Sequence, residues 1–292
     1  MIPRKLFRKI RHVEIRTKGL VENVFGGEYH SAFRGRGIEF SEVRPYQIGD
    51  DVRSIDWNVS ARMGEPYIKL FEEEREQTLL LMVDISGSGD FGSSGTTKRE
   101  VAAEICAVLG FSAIRNNDKV GLLLFSDKIE RFVPPKKGRR HVLRIIRDLY
   151  VHEAASRGTN VKAALDHAHH MLNRRAIVIL VSDFLDTGYD KALRTLAQKH
   201  DVVAIRLLDP REEALPKVGL LSLTDAETGR PVLVDTSSKT VRNTFSARAA
   251  DREAAVQSAL KRARVDTVTV RTDADYVEPL VALFKRRNKV RR

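Results

Sequence analysis

From Thr78 onward, the sequence alternates short apolar runs with longer segments of helical periodicity. The runs from Leu79 to Val83 and from Ile177 to Val181 contain no polar residue, which is typical of strands that are buried on both faces of a sheet. In the segments between such runs, apolar residues recur at helical spacing, as at Val101 and Ile105. This alternation predicts parallel strands connected by helices, because parallel neighbours need a long crossover.

The pattern predicts five or six buried strands, one short edge strand and one hairpin. The predicted strands are Leu79 to Val83, Val120 to Phe125, Ile129 to Val133 at an edge, Ile177 to Val181, Val202 to Leu208, Thr267 to Val270, and a hairpin of Leu220 to Leu223 with Val232 to Val234. We therefore predict an α/β fold, with a doubly wound, mostly parallel sheet flanked by helices. In such sheets, ligands bind beyond the carboxyl ends of the strands, where the strand order reverses.

The chain of 292 residues is long enough for one large domain and a smaller appendage. We predict a small N-terminal segment with a basic leader over residues 1–77, a sheet domain over residues 78–284 and a basic tail over residues 285–292. Residues 1–20 and residues 285–292 each carry a net charge of +6, which accounts for the whole net charge of +12. Such charge blocks are usually solvated tails, and loose contact with nucleic acid or anionic lipid is the alternative.

Hydropathy and cysteine usage indicate a cytoplasmic protein. No apolar run approaches the roughly 18 residues that a membrane-spanning helix needs, and the first twenty residues lack the apolar core of a secretory signal. Peripheral contact with the inner face of the membrane is the alternative. The single cysteine, Cys106, cannot form an internal disulfide, and we predict a buried thiol without a redox role.

Three polar segments lie after predicted strands or before a helix: Asp84 to Ser88, Arg157 to Asn160, and Ser182 to Phe184. Each alone has an ordinary explanation as a turn or a helix cap. Together they supply hydroxyl and carboxylate oxygens, the ligands that hard divalent cations prefer. Two carboxylates would balance the ion, and neutral hydroxyls would leave it able to bind one further anionic oxygen. The predicted ligands for Mg²⁺ (or Mn²⁺ or Ca²⁺) are Asp84, Ser86, Ser88, Thr159 and Asp183.

The order Asp-x-Ser-x-Ser, then Thr, then Asp resembles the metal-ion-dependent adhesion site of von Willebrand factor A domains, and all five positions match. In those domains, the two serines and the threonine usually bind the metal directly, and the aspartates bind it directly or through water. The resemblance therefore implies direct ligation by Ser86, Ser88 and Thr159. It also implies direct or water-mediated ligation by Asp84 and Asp183, with an Asp or Glu of a partner protein completing the coordination shell.

The segment from about Gly35 to Arg75 resembles the signature of the bacterial domain-of-unknown-function-58 family, which joins such a segment to a von Willebrand factor A-like domain. The resemblance is carried by Gly37 to Phe40, Arg44 to Tyr46, Gly49 to Trp57, Ala61, Arg62, Tyr67, Lys69, Glu74 and Arg75. Genes of this family often accompany those of MoxR-type AAA+ ATPases, so the resemblance implies such an ATPase as the partner.

Opposite charges and aromatic residues are dense within this signature. The residues that we assign to an internal network or to a partner surface are Arg44, Tyr46, Asp50, Arg53, Asp56, Trp57 and Arg62. The pattern favours internal ion pairs and hydrogen bonds, because charged groups in a tight loop first need partners within it. A partner surface is the alternative, since Trp, Tyr and Arg are common interface anchors.

Two further motifs predict no site. Gly87 to Gly92 spells Gly-x-Gly-x-x-Gly, but Asp84 and Asp90 would face a pyrophosphate, and no acidic residue follows at the dinucleotide spacing. His167 and His170 are three residues apart, without the glutamate of a zinc protease between them. We expect ordinary surface histidines and no nucleotide site.

These observations favour a non-enzymatic, Mg²⁺-dependent protein-interaction module, without a small-molecule substrate and without nucleic acid as its main partner. Two alternatives stay open. The first is a metal-dependent hydrolase in which Asp90, Asp127 or Asp186 acts as the base. The second is binding of nucleic acid or an anionic membrane through the two basic ends.

Overall fold

The structure, a computed structural model, describes residues 4–33, 38–73, 76–224 and 229–290. It contains two compact units, one formed by Arg34–Gln77 and the other by Met1–Phe33 together with Thr78–Arg292. The basic leader thus groups with the sheet unit, which differs from the predicted boundary at residue 77. The physical reason is apolar burial, since the leader forms helices α1 (Arg4–Leu20) and α2 (Gly26–Ala32), whose inward side chains join the core of the sheet unit.

The smaller unit is an antiparallel strand pair with a short helix. Strand β1 (Ile38–Pro45) pairs with β2 (Tyr67–Glu73), and helix α3 (Trp57–Met63) lies between them in the sequence. Helix α3 ends at Gly64, whose φ of 80° is left-handed and is readily adopted by glycine. The signature residues Gly35, Gly37, Glu74 and Arg75 lie outside the described residues.

The larger unit contains a six-stranded sheet in the order β10-β7-β6-β3-β4-β5. Its strands are β3 (Thr78–Asp84), β4 (Lys119–Phe125), β5 (Ile129–Lys136), β6 (Ile177–Ser182), β7 (Asp201–Leu208) and β10 (Asp266–Arg271), and a separate hairpin is formed by β8 (Leu220–Thr224) and β9 (Pro231–Asp235). Five strands are parallel, and β5 pairs antiparallel at the edge. The predicted mostly parallel α/β sheet is confirmed.

Helices cover both faces of this sheet. They are α4 (Lys98–Arg115), α5 (Arg139–Val151), α6 (Val161–Met171), α7 (Asp190–Lys199), α8 (Pro210–Glu213), α9 (Lys239–Arg262) and α10 (Val277–Val290). Along β3, Leu79 and Leu81 pack into one core with α4, α5 and α10, while Leu80 and Met82 pack into the other with α6, α7 and α9. Successive strand side chains point to opposite faces, and burial of both faces explains the absence of polar residues in this run.

The C-terminal basic segment is helical as far as Val290. Lys285, Arg286 and Lys289 are exposed, but the predicted solvated tail is wrong for Arg287. The side chain of Arg287 is only 1% exposed and forms ion pairs with Asp201 and Asp266. Its guanidinium also lies 4.8 Å from the ring centre of Phe33, a favourable cation–π arrangement. Arg287 is therefore part of the folded core, and residues 291–292 lie outside the described residues.

The sheet order identifies where a functional site is expected. Strands β3 and β6 are neighbours, but the chain continues from β3 to β4 on one side and from β6 to β7 on the other. The strand order therefore reverses between β3 and β6, and a crevice at their carboxyl ends is the usual ligand site of such sheets. None of the helices in the described part of the chain has the length and apolar character needed to cross a membrane.

Candidate functional site

Two aspartates lie at this point of strand reversal. Asp84 is the last residue of β3, and Asp183 follows the last residue of β6. Both are buried, with 9% and 4% exposure respectively. The hydroxyl of Ser182 donates to Asp84 Oδ2 at 2.7 Å, and the backbone N–H of Ser86 donates to Asp84 Oδ1 at 3.0 Å. The ends of the two strands are thus joined through the carboxylate of Asp84.

The serines of the first loop lie beside these carboxylates. Ser86 Oγ and Ser88 Oγ are 3.1 Å apart, and Ser88 is also within hydrogen-bonding reach of the Asp183 side chain. A short 3₁₀ turn, Gly87–Asp90, directs the loop back over the strand ends, and Gly89 N donates to Ser86 O at 2.9 Å. Four of the five predicted metal ligands are therefore connected by a continuous set of close contacts.

The fifth predicted ligand, Thr159, lies in the neighbouring loop. Gly87 N donates to the carbonyl of Arg157 at 2.9 Å, which joins this loop to the first one. Thr159 follows two residues later and is half-buried. Helix α6 is capped by Asn160, whose side chain accepts from Ala163 N at 2.9 Å. Because Asn160 supplies the cap, the hydroxyl of Thr159 is not needed for that role.

A buried lysine adjoins the site. Lys98 Nζ lies 2.9 Å from Asp183 Oδ2 and 2.6 Å from Glu212 Oε1, and its side chain is 2% exposed. Lys98 is the first residue of α4, which begins with a capping box formed by Thr97 and Glu100. Its contact with Asp183 was missed at the sequence level, because a lysine in the first turn of a helix is ordinarily solvated. No local signal distinguishes it from such a lysine.

The two aspartates are electrostatically different. Burial, followed by the negative charge of Asp183, raises the pKa of Asp84 to about 6. Burial also opposes ionisation of Asp183, but the adjacent ammonium of Lys98 outweighs it and holds the pKa of Asp183 below its ordinary value. Asp183 therefore has a cationic partner within the protein, whereas among the described residues the hydrogen bonds to Asp84 come from neutral donors.

The backbone after Asp183 adopts an unusual conformation. Phe184 has a φ of 59°, in the left-handed region that bulky side chains rarely adopt. Its ring is fully buried and its N–H donates to Ser182 Oγ at 3.0 Å, so packing and hydrogen bonding hold this conformation. The carbonyl of Asp183 accepts from Arg206 Nε at 3.3 Å. Strained backbone of this kind is often found at functional sites.

The residues present fit a hard divalent cation. No cluster of three or more His, Cys, Asp or Glu side chains suited to a metal occurs among the described residues, so an ion here would depend on hydroxyl oxygens as well as carboxylates. Within the same residues, no lysine or arginine forms an ion pair with Asp84. A buried carboxylate without a counter-charge is energetically costly, and a cation bound beside Asp84, Ser86 and Ser88 would remove that cost.

The signature residues of the smaller unit divide into two groups. Arg44 forms a two-pronged ion pair with Asp50, with both N–O distances at 2.8 Å, and this hydrogen bonding lowers the pKa of Asp50. Asp56 caps α3 and pairs with Lys69 at 3.3 Å. These contacts are of the internal kind that the sequence favours.

The second group of signature residues is exposed. Trp57 is 68% exposed, and Arg53 and Arg62 are exposed as well. Tyr46 is half-buried, and its backbone N–H donates to Pro66 O at 2.8 Å. Internal ion pairing thus accounts for Arg44, Asp50 and Asp56 but not for the exposed side chains.

Comparison with known proteins finds a matching family and several relatives. The family described as protein of unknown function DUF58 matches residues 42–255. The chain is 33% identical over 291 residues to the uncharacterized protein Rv1480 of Mycobacterium tuberculosis, covering 98% of this chain and 90% of that protein. It is 29% identical over 111 residues to the uncharacterized protein YeaD of Bacillus subtilis, covering 38% of this chain and 26% of that protein.

Solved structures with a similar fold include BatB of Bacteroides thetaiotaomicron, at 16% identity and a TM-score of 0.48, with coverage of 73% of this chain and 99% of that one. The VWA domain of SpRpn10 is similar at 12% identity and a TM-score of 0.40, covering 70% of this chain and 93% of that one.

Proposed function

Since the chain belongs to the family of proteins of unknown function DUF58, we propose that it is a non-enzymatic, Mg²⁺-dependent protein-interaction module. In this proposal the metal ion binds at Asp84, Ser86, Ser88, Thr159 and Asp183. An Asp or Glu side chain of a partner protein then completes its coordination. The partner is a MoxR-type AAA+ ATPase, and the module acts in the cytoplasm in an assembly or chaperone-like role.

The observation that carries the proposal is the state of Asp84. Its carboxylate is buried at the point of strand reversal and, among the described residues, has hydrogen-bond donors but no cation. The adjacent oxygens of Ser86 and Ser88 are 3.1 Å apart, a separation at which both could bind one ion. Divalent cations satisfy buried carboxylates in this way.

The donor set also supports binding of an acidic partner. Serine and threonine oxygens bring no negative charge, and the charge of Asp183 is already shared with Lys98. An ion at this site would therefore keep part of its positive charge. A carboxylate from another protein is a suitable further ligand, because hard cations prefer anionic oxygen.

The choice of partner comes from the family resemblance. Proteins with this signature are often encoded beside MoxR-type AAA+ ATPases, and the signature is present here from Arg44 to Arg62. The exposed side chains of Trp57, Arg53 and Arg62 offer a second surface that such a partner could contact.

No specific contact favours the two alternative functions. Each aspartate considered as a hydrolytic base has a partner: Asp90 pairs with Arg99 at 3.1 Å, Asp127 accepts from Ser126 at 3.2 Å, and Asp186 accepts from Val161 N at 2.8 Å. One basic residue of the C-terminal segment, Arg287, is buried in ion pairs within the protein. It is therefore not available to nucleic acid or an anionic membrane.

The test is direct binding to a purified MoxR-type ATPase from the same genome, in its nucleotide-free form. Omitting nucleotide keeps the metal requirement of ATP out of the experiment. We expect capture of the ATPase by the immobilised chain in Mg²⁺, loss of capture in EDTA and recovery when Mg²⁺ is restored. The variant Asp84→Asn should lose capture in Mg²⁺, and the exposed-serine control Ser222→Ala should retain it. Capture that is indifferent to both EDTA and Asp84→Asn would overturn the proposal.

A further inference from the structure

A cavity of about 690 Å³ opens beside the candidate metal site. Ser88 and Asp183, two predicted metal ligands, lie at one end of it. The remaining wall is largely apolar and comes from the segment after β7, strand β8 and helix α9. Its apolar side chains include Leu185, Leu208, Leu215, Leu221, Leu223 and Phe245. We call this cavity the apolar pocket.

The apolar pocket exists because the first part of α9 is not used by the core. Helix α9 has 24 residues, but its buried ones are Val256, Ala259 and Leu260, all near its C-terminal end. Phe245 and Ala249 are four residues apart and therefore lie on one face of the helix, and both line the pocket. This face is apolar without being buried against the sheet.

Strand β8 supplies another apolar part of the pocket wall. Leu221 and Leu223 are two residues apart, so they point to the same side of the strand, and both line the pocket. They are half-buried, whereas the intervening Ser222 is exposed. This wall is therefore the apolar face of a hairpin that lies outside the main sheet.

The charges around the pocket favour an anionic occupant. Three glutamates line it, and each is paired: Glu212 with Lys98, Glu213 with Arg271, and Glu253 with Arg206. Besides Arg206, two further arginines line it, Arg211 and Arg252. Both are exposed, and neither forms an ion pair among the residues that the structure describes. These two arginines are therefore available to pair with an acidic residue of the occupant.

We propose that the apolar pocket binds a large apolar side chain of the same partner segment whose acidic residue binds the metal ion. The inference rests on the proposed function and specifies the partner's chemistry. The recognised segment has an Asp or Glu, a nearby residue of Leu, Met or Phe size, and a further acidic residue facing Arg211 and Arg252.

The size of the pocket agrees with this occupant. Cavities of roughly 300–1,000 Å³ hold compact ligands and are typically apolar with a few polar groups that fix orientation. Here the polar groups include Ser88 and Asp183, two of the predicted metal ligands, and the charged side chains described above. Continuity of the apolar wall with the metal site means that one short peptide can contact both.

The test uses a displayed library of random twelve-residue peptides with one fixed central Asp, selected on the full chain in Mg²⁺. We expect enrichment of peptides with an apolar residue at a set distance from an acidic one. Affinities of the selected peptides are then measured on variants of α9. Ala249→Trp fills the pocket, while Ala247→Trp makes the same change at an exposed position of the same helix that does not line the pocket.

We expect Ala249→Trp to weaken binding at least tenfold and Ala247→Trp to change it less than twofold. Phe245→Ala, which removes part of one wall instead of filling the cavity, should also weaken binding. On the wild-type chain, replacing the apolar residue of the peptide by Ser should weaken binding as much as Ala249→Trp does. On the Ala249→Trp variant, the same replacement should cause little further loss, because the two changes remove one interaction. Circular dichroism checks that each variant is folded.

The outcomes separate the two proposals. Binding that needs Mg²⁺ and Asp84 but is unaffected by Ala249→Trp and Phe245→Ala overturns the pocket inference and leaves the proposed function standing. Selected peptides whose binding needs neither Mg²⁺ nor Asp84 overturn the proposed function. A concentration-dependent dimer that Ala249→Trp abolishes, measured by sedimentation, identifies a second copy of the chain as the occupant and also overturns the inference.

Discussion

The side-chain nitrogen of Lys98 lies 2.9 Å from Asp183 Oδ2, although the two residues are 85 positions apart in the chain. The same nitrogen contacts Glu212, so one buried ammonium serves two carboxylates. An ion bound at the candidate site must therefore share Asp183 with a cation of the protein. Lys98 supplies a positive charge to two carboxylates at this end of the sheet, and it would compete with a metal ion for Asp183.

Lys98→Met should reduce stability and increase metal affinity. Removing the ammonium leaves two carboxylates without their shared cation, and breaking a buried pair in this way costs about 3–5 kcal/mol. We expect this loss in the free energy of unfolding in EDTA, measured by urea denaturation, and partial recovery in Mg²⁺. Lys162→Met, at an exposed position of α6, is the control. A variant that is equally stable in EDTA and in Mg²⁺ would contradict the assignment of Lys98 beside the metal.

Ser86→Ala and Ser88→Ala should weaken metal binding with little effect on the fold. Each variant removes one hydroxyl oxygen of the pair that lies 3.1 Å apart. Loss of one ligand should lower the metal affinity roughly tenfold, which corresponds to about 1.4 kcal/mol. Mn²⁺ serves as the probe, and its free fraction is measured by electron paramagnetic resonance. Ser222→Ala should bind as the wild type does. Equal Mn²⁺ affinity in all four proteins would remove the two serines from the site.

Arg287→Met should destabilise the protein by about 1–3 kcal/mol, because it removes the buried guanidinium that pairs with Asp201 and with the partly exposed Asp266. Lys285→Met, at an exposed position of the same helix, should be close to neutral. Thermal and urea unfolding measure both. If Arg287→Met is as close to neutral as Lys285→Met, Arg287 behaves as part of the solvated tail that the charge pattern predicts.

His200 should make stability fall on mild acidification. Burial first, and then the charges of Lys199, His169 and Arg175, lower its pKa from 6.5 to about 4, and its Nδ1 accepts from Ala176 N at 3.3 Å. Between these two pH values the unfolded chain binds a proton that the folded chain does not, so stability is complete above pH 6.5 and is lost as the pH falls towards 4.

The variant His200→Asn tests this pH dependence, since its side-chain oxygen can still accept from Ala176 N. Urea unfolding at several pH values should show a loss of roughly 2–3 kcal/mol in the wild type that the variant lacks. His12→Asn, at an exposed position of α1, should keep the wild-type slope. An unchanged slope in His200→Asn would assign the pH dependence to other groups.

Gly92→Ala should distort the loop between the candidate site and α4. A Cβ at this position would lie 2.2 Å from the backbone oxygen of Thr96 and 2.7 Å from the Cα of Thr97, so backbone must shift. We expect a loss of about 1–3 kcal/mol, the usual cost of such overpacking. Gly27→Ala has open space in α2 and should gain up to about 1 kcal/mol from helix propensity. Differential scanning calorimetry compares the two, and an unchanged melting temperature for Gly92→Ala would show that the loop can absorb the clash.

The sheet and the grouping of most candidate site residues could be predicted from the sequence. Runs such as Leu79 to Val83 are apolar because both faces of the strand are buried, and this pattern is local. The polar residues after β3 and β6 meet because parallel strands end at one edge of a sheet. Asp84, Ser86, Ser88 and Asp183 could therefore be placed together from their positions relative to the strands.

The pairing of charges over long distances depends on the tertiary structure. The sequence marks Lys98 as a residue of a helix start and Arg287 as one of a basic tail, whereas Lys98 is buried against Asp183, 85 positions away, and Arg287 against Asp201, 86 positions away. Likewise, helix periodicity predicts α9 but not that its first part lines an apolar pocket beside the predicted metal ligands Ser88 and Asp183. Apolar patterning is a property of neighbouring residues, while counter-charges and cavities depend on which distant elements pack together.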